Sequence, residues 1–134
     1  MPNDGTVYCG YFQSEKNFTE GWEFVKNLLE PSDHVKERLD KYQPIFNGMT
    51  CSIHVRRGNY LSLPEHHVVQ SVEYYNEAIS RIGADKYLVF SDDIEWCKQN
   101  FIGEEYVFIK DTDYIEMFLM SMCDHNIIGN SSFS

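Results

Sequence analysis

From residue 50 onward, short apolar runs alternate with longer stretches whose apolar residues recur every three or four positions. Short apolar runs bounded by turn-forming residues read as strands buried on both faces, and the three-to-four spacing reads as one face of a helix. Cys51-Ser52-Ile53-His54-Val55 is the first such strand, closed by the polar loop Arg56-Arg57-Gly58-Asn59. A helix is predicted over residues 68–82, then a second strand, Tyr87-Leu88-Val89-Phe90, ending in Ser91-Asp92-Asp93. A short helix over 94–101 leads to a third strand, Tyr106-Val107-Phe108-Ile109. Asp111-Thr112-Asp113 reads as the cap of a helix over 114–123, and His125-Asn126-Ile127-Ile128 is a fourth strand running into Gly129-Asn130-Ser131-Ser132.

The first 46 residues are less regular. Residues 7–12 suit a short extended segment. Ser32-Asp33 after Pro31 suits the cap of a helix carrying Val35, Leu39 and Tyr42, which Pro44 ends. The expected organisation is a leading segment, 1–46, and a domain, 47–134. Strands alternating with helices at this spacing imply an α/β fold, with a parallel sheet covered by helices on both faces.

Composition narrows the function. The 134 residues fit one compact domain, and 43% hydrophobic content is ample for its core. Eleven basic against twenty-one acidic side chains leave a formal charge of −10, which disfavours binding to nucleic acid backbones and anionic membrane surfaces. No segment approaches the roughly 18 apolar residues of a membrane span, and the start has no export signal, so a cytoplasmic location is expected. Cys9, Cys51, Cys97 and Cys123 stand far apart, without zinc-ligand spacing, and read as buried free thiols.

In open parallel sheets ligands bind beyond the carboxyl ends of the strands. Three strands deliver polar groups there: Arg56 and Arg57 from the first, Ser91, Asp92 and Asp93 from the second, and Asn130, Ser131 and Ser132 from the last. Guanidinium groups on one side of a crevice, with hydroxyls and backbone N–H groups on another, suit a phosphate or diphosphate ester. Remote acidic charges do not oppose this, since they are screened beyond about 8 Å. The expectation is therefore geometric: both guanidinium groups and the terminal hydroxyls should flank one anion-sized hollow at the same rim. Asp92-Asp93 could also be an acidic metal pair of receiver type with Lys110 as its basic residue, but such a pair should leave the first strand. A helix-capping and loop-fixing role is the simpler reading.

The phrase Ile53-His54-Val55-Arg56-Arg57-Gly58-Asn59-Tyr60 resembles the signature motif of the α-1,2-fucosyltransferases. Residues 87–101 and 116–134 resemble the family's next two blocks, and residues 10–18 resemble the segment that precedes the nucleotide-binding half in bacterial members. The resemblance implies a GT-B glycosyltransferase, of which this chain is most of the C-terminal, Rossmann-like, three-layer α/β/α donor domain, truncated at its own C-terminus. It implies transfer of fucose from GDP-fucose to a glycan acceptor, with inversion, and with no metal or other cofactor. Arg56 is then the catalytic residue, steadying the β-phosphate of the leaving GDP, and Arg57 supports the loop and the donor pocket. His54 lies beside the nucleotide, while Ser131 and Ser132 hold phosphate oxygens. Glu116 stands where the family has an Asp on guanine, and Asn59 where the motif ends in Asp. Ser91, Asp92, Asp93 and Asn130 support the site. The acceptor domain has no counterpart here, so the expected partners are a GDP-sugar, a glycan, and a second copy or another chain that supplies the missing domain. The alternative from another class is a non-catalytic remnant or interaction domain that keeps the fold, and nucleotide binding with it, without transfer.

Overall fold

Strand β1 (Thr50–Val55) is buried along its whole length and forms the axis of the sheet. It pairs in parallel with β2 (Lys86–Ser91) on one side and β4 (His125–Ile127) on the other. β2 pairs in parallel with β3 (Tyr106–Phe108), giving the order β3-β2-β1-β4. The computed structural model describes residues 16, 20–62, 65 and 67–134. The extended segment expected over 7–12 and Cys9 lie outside them, as does the block 10–18 apart from Lys16. The chain divides into two units, Met1–Glu30 and Pro31–Ser134. In the first lies helix α1 (Trp22–Leu28).

In the second unit, α2 (Asp33–Leu39) precedes the sheet, α3 (Val72–Ile82) joins β1 to β2, α4 (Ile94–Asn100) joins β2 to β3, and α5 (Asp113–Ser121) joins β3 to β4. Side chains alternate across a strand. Cys51, Ile53, Val55, Tyr87 and Val89 accordingly pack on one face with Tyr75 of α3 and Cys97 of α4. Leu88 and Phe90 pack on the other face with Ile115 and Leu119 of α5 and Leu39 of α2. Each fully buried aliphatic or aromatic side chain of this kind contributes about 1.5–3 kcal/mol. Helices thus cover both faces, and the architecture is the expected Rossmann-like three-layer α/β/α arrangement.

Order along the sheet fixes where a ligand can sit. The chain steps from β1 outward to β2 and β3, then returns past both to lay β4 on the far side of β1. The direction of winding reverses between β1 and β4, and such a reversal opens a crevice at the carboxyl ends of the strands. Arg56 leaves one of those strands and the terminal loop leaves the other.

Three boundaries differ from expectation. The helix predicted from residue 68 begins at Val72, because Val68 is 65% exposed and contributes nothing to the core. Helix α2 ends at Leu39 and passes into a 3₁₀ turn, Asp40–Ile45, with Pro44 inside it. Residues 31–46 belong to the α/β unit rather than to a leading segment, because Leu39 is buried there and Val35, Tyr42, Ile45 and Phe46 pack against the same cluster. Cys51, Cys97 and Cys123 are buried free thiols. Burial pushes them up to about 11, 11 and 12, so at neutral pH they are protonated packing groups. Among the described residues no helix is long and apolar enough to cross a membrane.

Candidate functional site

The parallel register of β1 and β2 ends at Val55 opposite Ser91. Carried past the strand ends, that register sets Arg56 against Asp92 and Arg57 against Asp93. Both ion pairs form: Arg56 Nη1 lies 3.1 Å from Asp92 Oδ2, and Arg57 Nε lies 3.1 Å from Asp93 Oδ2. Because adjacent residues of an extended chain point to opposite faces, the two pairs part company. Arg56 and Asp92 turn to the α5 side of the sheet. Arg57 turns to the α4 side, where its guanidinium stacks on the Trp96 ring at 4.1 Å. The side chain of Arg57 is 17% exposed and that of Arg56 is 36% exposed, so the second retains open surface for a ligand.

Arg56 faces a hollow of about 140 Å³. His54 and Arg56 bring the end of β1 to it, Ser91 and Asp92 the end of β2. Lys110, Asp113 and Glu116 close the side between β3 and α5, and Phe133 comes from the terminal loop. Two further contacts hold the Arg56 guanidinium: Nη2 donates to Asn59 Oδ1 at 2.8 Å, and the group lies 5.4 Å from the Tyr60 ring centroid. Tyr60 is itself stacked on His67 at 4.1 Å. Asn59 therefore keeps the acceptor that the motif's Asp would offer, without its charge.

The rest of the loop is tied down by the acidic pair. Asp92 Oδ1 accepts the Arg57 N–H at 2.9 Å. A Cβ on Gly58 would meet the Asp92 carboxylate, so any larger residue there must displace the group that holds the loop. Asp93 caps α4 by accepting the Trp96 N–H at 3.3 Å, and its own N–H donates to Ser91 Oγ at 2.9 Å. These are the capping and loop-fixing roles expected of the pair.

His54 is 5% exposed, and its Nδ1 is buried with no hydrogen-bond partner among the described residues. Burial holds the imidazole below its ordinary pKa, the Arg56 charge adds to the effect and Asp92 opposes it, so the ring is neutral near pH 7. The Phe133 ring lies 5.3 Å from it. Glu116 is 7% exposed, and burial raises its carboxyl, with the Asp111 N–H and the Lys110 charge pulling the other way. Its Oε1 accepts the Asp111 N–H at 2.9 Å, so part of the residue expected on guanine already serves the start of α5.

The terminal loop reaches the expected rim with a different side chain. A Cβ on Gly129 would stand 3.2 Å from the His54 carbonyl oxygen and 3.4 Å from the Tyr75 hydroxyl, so the loop after β4 lies hard against the end of β1. Ser131 Oγ, however, accepts the Phe133 N–H at 3.2 Å, a local turn that serves the loop itself. Phe133 borders the hollow, whereas Ser131, Ser132 and Asn130 do not. The geometric expectation is corrected on two counts: one guanidinium faces the hollow instead of two, and the terminal loop supplies an aromatic ring instead of hydroxyls.

A second polar centre escaped sequence reading. Asp111 accepts from the Arg38 guanidinium, from the Tyr42 hydroxyl at 2.6 Å and from the Thr112 N–H at 2.7 Å. Burial pushes its carboxyl up, yet these hydrogen bonds and the Arg38 charge outweigh that and hold it low. The hub fixes α2 and the 3₁₀ turn to the start of α5, and so steadies the wall that carries Glu116. A cap-like triplet after a strand was the only signal in the sequence, and its partners stand far away along the chain.

The family described as Glycosyl transferase family 11 matches over residues 1–134. The chain belongs to this glycosyltransferase family. It is 38% identical over 146 aligned positions to the O-antigen biosynthesis glycosyltransferase WbnK of Escherichia coli, an alignment covering 95% of this chain and 48% of that protein. It is 32% identical over 143 positions to an alpha-1,2-colitosyltransferase of Escherichia coli, again covering 95% of the chain and 48% of the relative. The chain thus spans about half the length of the curated relatives it matches. No solved structure matches it.

Proposed function

We propose that this family 11 chain carries the diphosphate end of a GDP-sugar site and serves an inverting transfer of fucose, or of a closely related deoxyhexose, to a glycan hydroxyl. One observation supports the reading above the others. Arg56 stands at the reversal of strand order, held on three sides and facing a hollow beside neutral, buried His54. At about 140 Å³ the hollow suits one charged part of a ligand, since sites for whole small molecules measure roughly 300–1,000 Å³.

In the proposed reaction the acceptor hydroxyl oxygen attacks the anomeric carbon from the face opposite the nucleotide and releases its proton to solvent, the bond from that carbon to the β-phosphate oxygen breaks, and GDP departs with the electron pair. Negative charge gathers on the β-phosphate as the bond lengthens. A guanidinium already fixed there stabilises the transition state more than the ground state, which is what accelerates a reaction. This fixed charge is the support for a metal-independent transfer. The names of the relatives point to O-antigen glycans as the acceptor class and to colitose as an alternative sugar. Buried free thiols accord with a reducing, cytoplasmic setting.

Isothermal titration of the folded chain with GDP, GDP-fucose and GDP-colitose tests the reading. Saturable heat with GDP is expected, and a folded sample giving none overturns the donor site. Release of GDP from the sugar nucleotide then separates transfer from binding, because a non-catalytic relic would bind without turnover.

A further inference from the structure

Arg57 is turned to the other side of the sheet, so the hollow needs a different second cation if it holds two phosphates. Lys110 meets that need. It leaves the end of β3, borders the same hollow as Arg56 and His54, and makes no salt bridge among the described residues. We propose that Lys110, together with Arg56, brackets the diphosphate of the donor, and that Lys110 rather than Arg57 is the second phosphate-positioning residue. This rests on the GDP-sugar reading above.

The placement suits the ligand. Arg56 rises from β1 and Lys110 from β3, with β2 between them. Two strand spacings amount to about 9–10 Å. Both side chains border the one hollow, so an anion held there meets a cation from either side. The flexible four-carbon stem of the lysine lets its ammonium follow the phosphate it meets. The Arg57 guanidinium is between the Trp96 ring and Asp93, and swinging it round would break both contacts and the loop they hold. Lys110 also has a structural alternative: its charge lies near Glu116, on the wall of α5. The two roles have different consequences. A diphosphate ligand depends on Lys110 through its second phosphate, whereas a partner of Glu116 acts on the fold and on the titration of that carboxyl.

The test is titration of the full chain and of Lys110→Ala and Lys110→Arg with GDP and with GMP, alongside thermal melts. Lys110→Ala is expected to weaken GDP about ten- to hundredfold, the loss typical of one hydrogen bond to a charged group, and to lower the ratio of GDP to GMP affinity about tenfold. Lys110→Arg should recover most of that ratio. If wild type binds GDP and Lys110→Ala leaves the ratio unchanged, the inference is overturned while the donor site stands. If wild type binds neither nucleotide, the donor site itself fails. A lowered melting temperature with an unchanged ratio assigns Lys110 to Glu116 and likewise overturns the inference.

Discussion

Arg56 with Asp92 and Arg57 with Asp93 are the same ion pair written twice in succession, with the same 3.1 Å separation, and they do different work. The first opens on a hollow beside His54, and the second is pressed onto Trp96 beside the cap of α4. What separates them is the two-residue period of the extended chain. A basic dipeptide leaving a strand cannot put both side chains into one pocket, so the first arginine is free to meet a ligand because the second holds the loop.

The largest expected effect follows from removing the ligand-facing member. Arg56→Ala should weaken GDP by roughly 1.5–3 kcal/mol, as for a lost hydrogen bond to a charged partner. Stability should change by less than about 1 kcal/mol, because the pair with Asp92 is partly exposed. Arg57→Ala should do the reverse. It loses a cation–π contact and a partly shielded ion pair, together about 1–2 kcal/mol of stability, seen as a fall in Tm of roughly 3–10 °C. Arg57→Lys should restore only part of this, since an ammonium does not stack as a guanidinium does. Equal losses of GDP affinity in both alanine variants, with unchanged melts, would abolish the division of labour.

Gly58→Ala acts on both pairs at once and is expected to have a smaller effect. Its Cβ must displace the Asp92 carboxylate, which receives both the Arg56 guanidinium and the Arg57 N–H. A loss near 1 kcal/mol in stability is expected, with a similar loss in GDP binding, read by denaturation and titration of one sample. A change in one measurement alone would show that Asp92 serves only one of the pairs.

How much of this was legible in the residues follows from the range of each interaction. The four strands and their parallel pairing were, because apolar runs such as Tyr87-Leu88-Val89-Phe90 have nowhere to go but a two-sided core. The different roles of Arg56 and Arg57 were legible from the family resemblance, which gives Arg56 to the phosphate and Arg57 to the loop, but that Arg57 turns away from the hollow altogether follows only from the alternation. Helix starts were less accessible: Val68 and Val69 extend the apolar pattern before α3 without entering the core. The Asp111 hub was not legible at all, since its partners Arg38 and Tyr42 reach it only after α2 has packed on α5. Hydroxyls look like phosphate ligands, which draws a sequence reading to the serines beside Phe133, whereas the Ser131 hydroxyl satisfies its own turn.

The smallest effect bears on the same comparison through His54. An unfolded chain protonates its histidines near pH 6.5, while burial holds folded His54 neutral to lower pH. Between those values the unfolded state binds a proton that the native state does not. His54's contribution to stability is therefore full above about pH 6.5 and falls as pH drops from there toward its lowered folded value. His54→Gln should flatten this acid slope, measured by urea denaturation between about pH 5 and 7. Arg56 shares in keeping the ring neutral, and Asp92 works against it. Removing Arg56 should consequently let His54 protonate more readily in the fold and make the slope shallower, whereas removing Arg57, which acts from the α4 side, should leave it as in wild type. Identical slopes in Arg56→Ala and wild type would place the Arg56 charge too far from the imidazole to matter, and the site would lose the electrostatic link between its two innermost groups.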